Sequence, residues 1–192
     1  MKARANRVVI RTVFAALCLF FLTSCSEWGP GGPGSALVGK PAPPIDLMTL
    51  GGRRFRLADH VGNQVVLLDM WATWCGPCRH ELPIVADVAR EYRGRGLVVC
   101  AVNLQEDKQK VAAFAAAEKL NLLVALDEQG AVAQEYQANA IPMLVLIDKA
   151  GIVRFVHVGL RSDLKAALHS EIDQLLATKA AAADTSRQPE LK

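Results

Sequence analysis

At 192 residues the chain has the length of one domain with appendages. Hydrophobic residues make up 52% and charged residues 21%, which is enough to bury a core and too apolar for a disordered chain. The formal charge of +3 belongs to the leader: Lys2, Arg4, Arg7 and Arg11 lie there with no acid, and without them 18 basic residues face 19 acidic ones. The resulting net charge of −1 leaves no electrostatic case for nucleic-acid binding.

Residues 1–24 have that basic start and then an apolar run, Val13 to Leu22, too short for a ~30 Å hydrocarbon core and suited to a secretory signal. It ends Leu22-Thr23-Ser24-Cys25, a branched apolar residue, two small ones and a cysteine, which resembles the bacterial lipobox. The resemblance implies cleavage before Cys25 and lipid on its sulfur and new amine; an uncleaved signal anchor is the alternative. Residues 25–36 then comprise the lipidated cysteine and a Gly/Pro linker. As a flexible coil that linker reaches only about 18 Å, so the domain is expected to work near a membrane surface.

Lys40-Pro-Ala-Pro-Pro reads as extended chain, and Ile45–Leu50 with Arg53–Leu57 reads as a hairpin turning at Gly51-Gly52. Val65–Met70 is a continuous β-branched and apolar run, so a central strand buried on both faces is predicted. Asp69 is the one acid inside it. Trp71-Ala72-Thr73-Trp74-Cys75-Gly76-Pro77-Cys78 follows, and then Leu82, Val85, Val88 and Tyr92 at helical spacing. That order puts Cys75 at a helix N-terminus with Pro77 in the first turn, where its missing N–H is no loss. Free amides and the helix dipole there favour thiolate over thiol, by up to ~2 kcal/mol in partly buried geometry. A thiolate at Cys75 can attack a disulfide, and a second sulfur at Cys78 can release it.

Half a zinc site has the same spacing as this pair, and so does a structural cross-link. Zinc asks for further ligands. Once the leader is removed and Cys25 carries lipid, one more cysteine remains, Cys100, and His60, His80, His157 and His169 form no ligand pair. No metal ligands are therefore assigned. Cys100 lies in the next apolar strand, Leu97–Val102, as a small buried hydrophobe.

Pro83 lies inside the helix and is expected to kink it; Gly94-Arg95-Gly96 ends it. Asp107 is expected to cap a helix through Leu120, followed by a short strand Leu122–Leu126 and a short helix Ala131–Tyr136. Ile141-Pro142 opens a strand, Met143–Ile147, which turns at Asp148–Gly151 into Ile152–Val158. Asp163 is expected to cap a last amphipathic helix along Leu164, Leu168, Ile172 and Leu175 or Leu176. From 179 to 192 the composition reads as a disordered tail.

Trp74-Cys75-Gly76-Pro77-Cys78 after an apolar strand resembles the thioredoxin superfamily. The lead-in Met70-Trp71-Ala72-Thr73-Trp74 and the exit Arg79-His80-Glu81-Leu82-Pro83 are similar to its membrane-tethered TlpA/ResA-like branch, over about residues 37–178. The resemblance implies an α/β thioredoxin fold: a mixed sheet with helices on both faces, an N-terminal hairpin, and a helix–strand insert at Asp107–Leu126. It implies a thiol-disulfide oxidoreductase without a cofactor, with Cys75 and Cys78 as the redox pair. A cis-Pro142 would leave the backbone of Ile141 free for an extended substrate, with Trp74, Gly76 and Pro77 around it. Trp71 and Trp74 would shape that face or simply pack.

Asp69 matches the thioredoxin acid that handles the proton of the second cysteine, where the branch more often has Asn. Glu81 matches the acid that ResA-like members use, so two acceptors for Cys78 stay open. Met143 departs from a common Thr. The resemblance also implies substrates among the disulfides of exported proteins, apocytochrome c included, and a membrane electron donor of the DsbD/CcdA type. Gly76-Pro77 matches reducing thioredoxins, near −270 mV against about −120 mV for the oxidant type. The competing reading is a copper or zinc chaperone that uses the pair without turnover. A peroxidase fits less well, because no Thr/Ser-x-x-Cys arrangement surrounds Cys75.

Overall fold

The structure, a computed structural model, describes residues 35–178. The leader, Cys25, most of the linker and the tail at 179–192 lie outside the described residues, and so do the expectations placed on them.

Among the described residues, seven strands and four α-helices follow in order: β1 Asp46–Met48, β2 Arg54–Arg56, β3 Val65–Trp71, α1 Gly76–Glu91, β4 Leu97–Leu104, α2 Lys108–Ala117, β5 Leu123–Asp127, α3 Ala131–Glu135, β6 Met143–Ile147, β7 Val153–Val158 and α4 Leu164–Ala177. β3 to β7 form one sheet in the order β5-β4-β3-β6-β7. β3, β4 and β5 run parallel, while β6 is antiparallel to both β3 and β7. This mixed sheet with helices on both faces is the thioredoxin-like fold. No helix among the described residues is long and apolar enough to cross a membrane.

β3 sits at the centre because all seven of its residues avoid water. Its period of two sends alternate side chains to opposite faces. Val65 and Leu67 pack with Val85 and Val88 of α1, with Tyr92 at its C-cap, and with Leu164, Leu168 and Ile172 of α4. Val66, Leu68 and Met70 face the other way, onto Phe55 of the hairpin, Val132 of α3 and Tyr136. Each such side chain contributes roughly 1.5–3 kcal/mol when fully buried. The hairpin β1/β2 also covers the edge of β5: Thr49 bridges to Ala125, and the Leu50 N–H donates to the Val124 carbonyl at 3.0 Å. An open strand edge is thereby closed to stray pairing.

Several element ends shift by one to three residues from the sequence reading, and two of these, with one cap, show a local physical reason. β4 runs two residues past Val102, through Asn103, because a ladder needs backbone rather than apolar side chains. Asp107 does cap α2, accepting the Lys110 N–H at 2.9 Å, but that helix ends at Ala117 rather than Leu120. Lys119 takes φ 51°, and the Leu120 N–H turns back to the Ala115 carbonyl at 2.9 Å, a Schellman closure. Asp163 stands at the cap position of α4 but does not cap it, because Arg161 holds its carboxylate in two bonds of 3.0 and 2.8 Å.

Candidate active site

At its C-terminal end β3 has α1 leaving on one side and β6 arriving on the other, the crevice where open α/β sheets bind ligands. A turn closes there, the Cys75 N–H donating to the Ala72 carbonyl at 3.1 Å, and α1 begins at Gly76 with Cys75 as its N-cap. Pro77 lies in the first turn. The two sulfurs are joined, Cys75 to Cys78, at 2.01 Å. The Cys78 N–H also points at the Cys75 sulfur, 3.2 Å away, as one of the free donors of the helix start.

Access to the pair is one-sided. Cys78 is fully buried, whereas Cys75 keeps a sliver of surface beside Gly76, Pro77 and Trp74, all exposed. Trp74 has 70% of its surface in solvent; Trp71 has none and packs on the Phe114 ring with centroids 5.3 Å apart. Of the two tryptophans expected to shape this face, Trp74 is at the surface and Trp71 is core.

Asp69 and Glu81 are both buried, at 1% exposure each, and neither Asp69 oxygen nor Glu81 Oε1 has a hydrogen-bond partner among the described residues. Asp69 follows Val65 and Leu67 on the β3 face that meets α1, and Glu81 stands one helical turn beyond Cys78. Glu81 is therefore no solvated helix charge. Loss of water pushes the Asp69 carboxyl up to about 7. Glu81 rises to about 8, by desolvation first and by the charge of Asp69 second. The fold thus brings both acids to one buried place rather than choosing between them.

Ile141–Pro142 is a cis bond. Ile141, half-buried, packs against the cluster of Trp71, Cys75 and Cys78. Its N–H and carbonyl enter no backbone hydrogen bond among the described residues, whereas the Pro142 carbonyl accepts the Gly159 N–H at 2.9 Å. Met143 pairs with Met70 and points into the opposite core, so its departure from Thr leaves the cysteine face unaltered.

One group escaped sequence reasoning. Glu106, between β4 and α2, is 7% exposed and bonds to Thr73, Asn103 and Lys110. Asn103, the first polar residue of an otherwise apolar strand, was the only local sign of it.

Sulfur chemistry of this kind, on this sheet, defines a thiol-disulfide oxidoreductase of the thioredoxin fold. The Redoxin family profile matches residues 37–176, and the chain belongs to that family, in the TlpA/ResA-like branch of the superfamily. Thiol-disulfide oxidoreductase ResA of Geobacillus thermodenitrificans is 34% identical over 171 residues, 87% of this chain and 97% of that relative. Thioredoxin-like protein YneN of Bacillus subtilis is 36% identical over 124 residues, 63% and 71% of the respective chains. Among solved structures, a Chlorobium tepidum protein described as thiol:disulfide interchange protein DsbE matches at 36% identity with a TM-score of 0.68, covering 72% of this chain and 97% of its own.

Proposed function

We propose that the chain is an exported, membrane-anchored reductase of protein disulfides, with Cys75 attacking and Cys78 resolving. The carrying observation is the Cys75 sulfur at the helix N-cap, with the Cys78 N–H aimed at it and Cys78 closed off behind. The Cys75 thiolate attacks a substrate disulfide; one substrate sulfur leaves and takes a proton, and the other stays bonded to Cys75. Cys78 then gives its proton to a carboxylate, attacks the Cys75 sulfur and expels the second substrate thiolate, leaving the bond that joins the two cysteines here. Asp69 and Glu81, both raised by burial and titrating as a pair, are the two acceptors within the fold for the Cys78 proton. Trp74, Gly76 and Pro77 supply the contact surface, and the unpaired backbone of Ile141 lies against an extended substrate segment.

The direction rests on Gly76-Pro77 between the cysteines. Between the reducing and oxidising types lies about 150 mV, or roughly 7 kcal/mol for two electrons, enough to fix which way electrons run. Titration of the pair against a dithiothreitol buffer is expected to give a potential near −270 mV; a value above about −160 mV would exclude a reductase. In an exported compartment such an enzyme draws two electrons from the membrane, from a donor of the DsbD/CcdA type. Substrates are exported proteins, the haem-site disulfide of an apocytochrome c among them.

Anchoring rests on Leu22-Thr23-Ser24-Cys25. The variant Cys25→Ala is expected to accumulate as an unprocessed precursor, read as an intact-mass increase over the mature chain. Normal processing and unchanged membrane fractionation would refute lipid attachment.

A further inference from the structure

Where the chain passes from β3 to α1, a carboxylate outside the reacting set takes hold of it. Oε2 of Glu106 accepts the backbone N–H of Thr73 at 2.7 Å and Nδ2 of Asn103 at 2.9 Å. Its Oε1 accepts Oγ1 of Thr73 at 2.6 Å and Nζ of Lys110 at 2.7 Å. Four donors satisfy both oxygens, and the two from Thr73 come from 33 residues away. Bonds to an ionised acceptor are roughly twice as strong as neutral ones.

Thr73 is the middle of the turn that ends at Cys75. The other bond closing that turn, Cys75 N–H to the Ala72 carbonyl, is internal to it and fixes its shape but not its place. Trp74 is too exposed to anchor the turn by packing. The outside hold on Thr73 is Glu106, through main chain and side chain at once, which fixes the orientation of the peptide as well as its position.

Stability alone is a poor reason for this arrangement. Desolvating a carboxylate offsets most of what its partners return, and apolar packing of the same volume commonly does as well. An apolar plug would not orient a peptide unit. The orientation decides where the Cys75 sulfur stands relative to the first-turn amides, and it decides which way Trp74 projects. Burial alone would push the Glu106 carboxyl up; bonds from Lys110, Thr73 and Asn103 outweigh it and hold the group down at about 2. It therefore stays charged at any pH where thiols exchange.

We propose that Glu106 is a positioning residue for thiol–disulfide exchange: its paired bonds to the N–H and Oγ1 of Thr73 hold Cys75 at the helix cap and Trp74 at the face that meets substrate.

The full chain and its variants are assayed for insulin reduction in dithiothreitol, at a temperature where circular dichroism shows each folded. Turnover by the wild type tests the enzyme itself, and the ratio of variant to wild type tests the clamp. Glu106→Ala is expected to lower kcat/KM about 10- to 100-fold, the scale of a misplaced reacting group. It is also expected to raise the pH midpoint of Cys75 alkylation by iodoacetamide by about one unit, as helix-cap stabilisation of the thiolate is lost. Glu106→Gln keeps a carbonyl for the Thr73 N–H and an amide for its Oγ1, and the half-exposed Lys110 ammonium, a donor like that amide, can turn to solvent, so the variant is expected to recover to within about threefold of wild type. Thr73→Val loses one of the two bonds and should fall between. If Glu106→Ala does not fold, Thr73→Val decides by the direction of its alkylation midpoint. A folded Glu106→Ala, or in its absence Thr73→Val, with an unmoved alkylation midpoint and kcat/KM within about twofold of wild type overturns the proposal, whatever happens to its melting temperature.

Discussion

Cys75→Ser is expected to abolish disulfide reduction, and Cys78→Ser to stop it halfway with substrate bonded to Cys75. The asymmetry follows from burial. Gly76, Pro77 and Trp74 leave an approach to Cys75, whereas Cys78 is wholly enclosed with Trp71, Leu82 and Val111. An incoming disulfide therefore meets one sulfur and not the other. Serine cannot replace the attacking thiolate at neutral pH, because its hydroxyl does not ionise there. Loss of the nucleophile should lower turnover at least about 1000-fold. In Cys78→Ser the first exchange proceeds and the second has no internal thiol. Non-reducing electrophoresis should then show a covalent adduct that dithiothreitol releases, and mass spectrometry of the adduct identifies the substrate. Adducts formed through Cys78 in Cys75→Ser would reverse the assignment.

How much of this was readable from the chain depends on how far apart the interacting residues lie. The cap at Cys75 and the helix behind it are local: strand, turn, Pro77 and apolar spacing fall within one stretch, so the pattern shows directly. Glu81 was readable in part. It shares a stripe with Val85, Val88 and Tyr92 at intervals of four, three and four, all buried against the sheet. The sequence singled it out only by its likeness to the ResA-like acid; a charge there favours solvent while the spacing favours the interior, and the side chain is buried. Glu106 was hidden for the opposite reason, since Thr73 is 33 residues away and no short-range pattern joins the two. The cap expected of Asp163 failed because Arg161, two residues earlier, competes for the same carboxylate. Propensity names a capable residue, but it does not name the partner that residue will choose.

Asp69→Asn should make the protein more stable at alkaline pH and slower at its work. In the unfolded chain Asp69 titrates near its ordinary value of 3.8, and in the fold it titrates at about 7. Between those values the folded state holds a proton that the unfolded state has lost, so stability falls as pH rises through this window. At about 1.4 kcal/mol per pH unit the whole loss is roughly 4 kcal/mol, complete above the folded value. Asn carries no charge to desolvate. Urea melts of the oxidised protein should therefore show Asp69→Asn near wild type at pH 4 and more stable than wild type by a few kcal/mol at pH 9. Glu81 contributes in the same direction up to about 8, and part of its rise comes from Asp69. The two titrate as a pair rather than independently.

The rate should move the other way. Resolution of the mixed disulfide in the wild type should accelerate as pH rises through about 7, when Asp69 becomes able to take the Cys78 proton. Removing a positioned general base slows a step by about 100- to 10,000-fold. In Asp69→Asn the resolving step should slow towards that range, with Glu81 the remaining acceptor and its inflection lowered by loss of the neighbouring charge. Stopped-flow measurement of substrate release after mixing reduced protein with a chromogenic disulfide reads this step. An unchanged resolving rate in Asp69→Asn would remove Asp69 from the mechanism. Equal destabilisation at pH 4 and pH 9 would show that the buried carboxyl is held for packing, because only an ionising group makes the difference depend on pH.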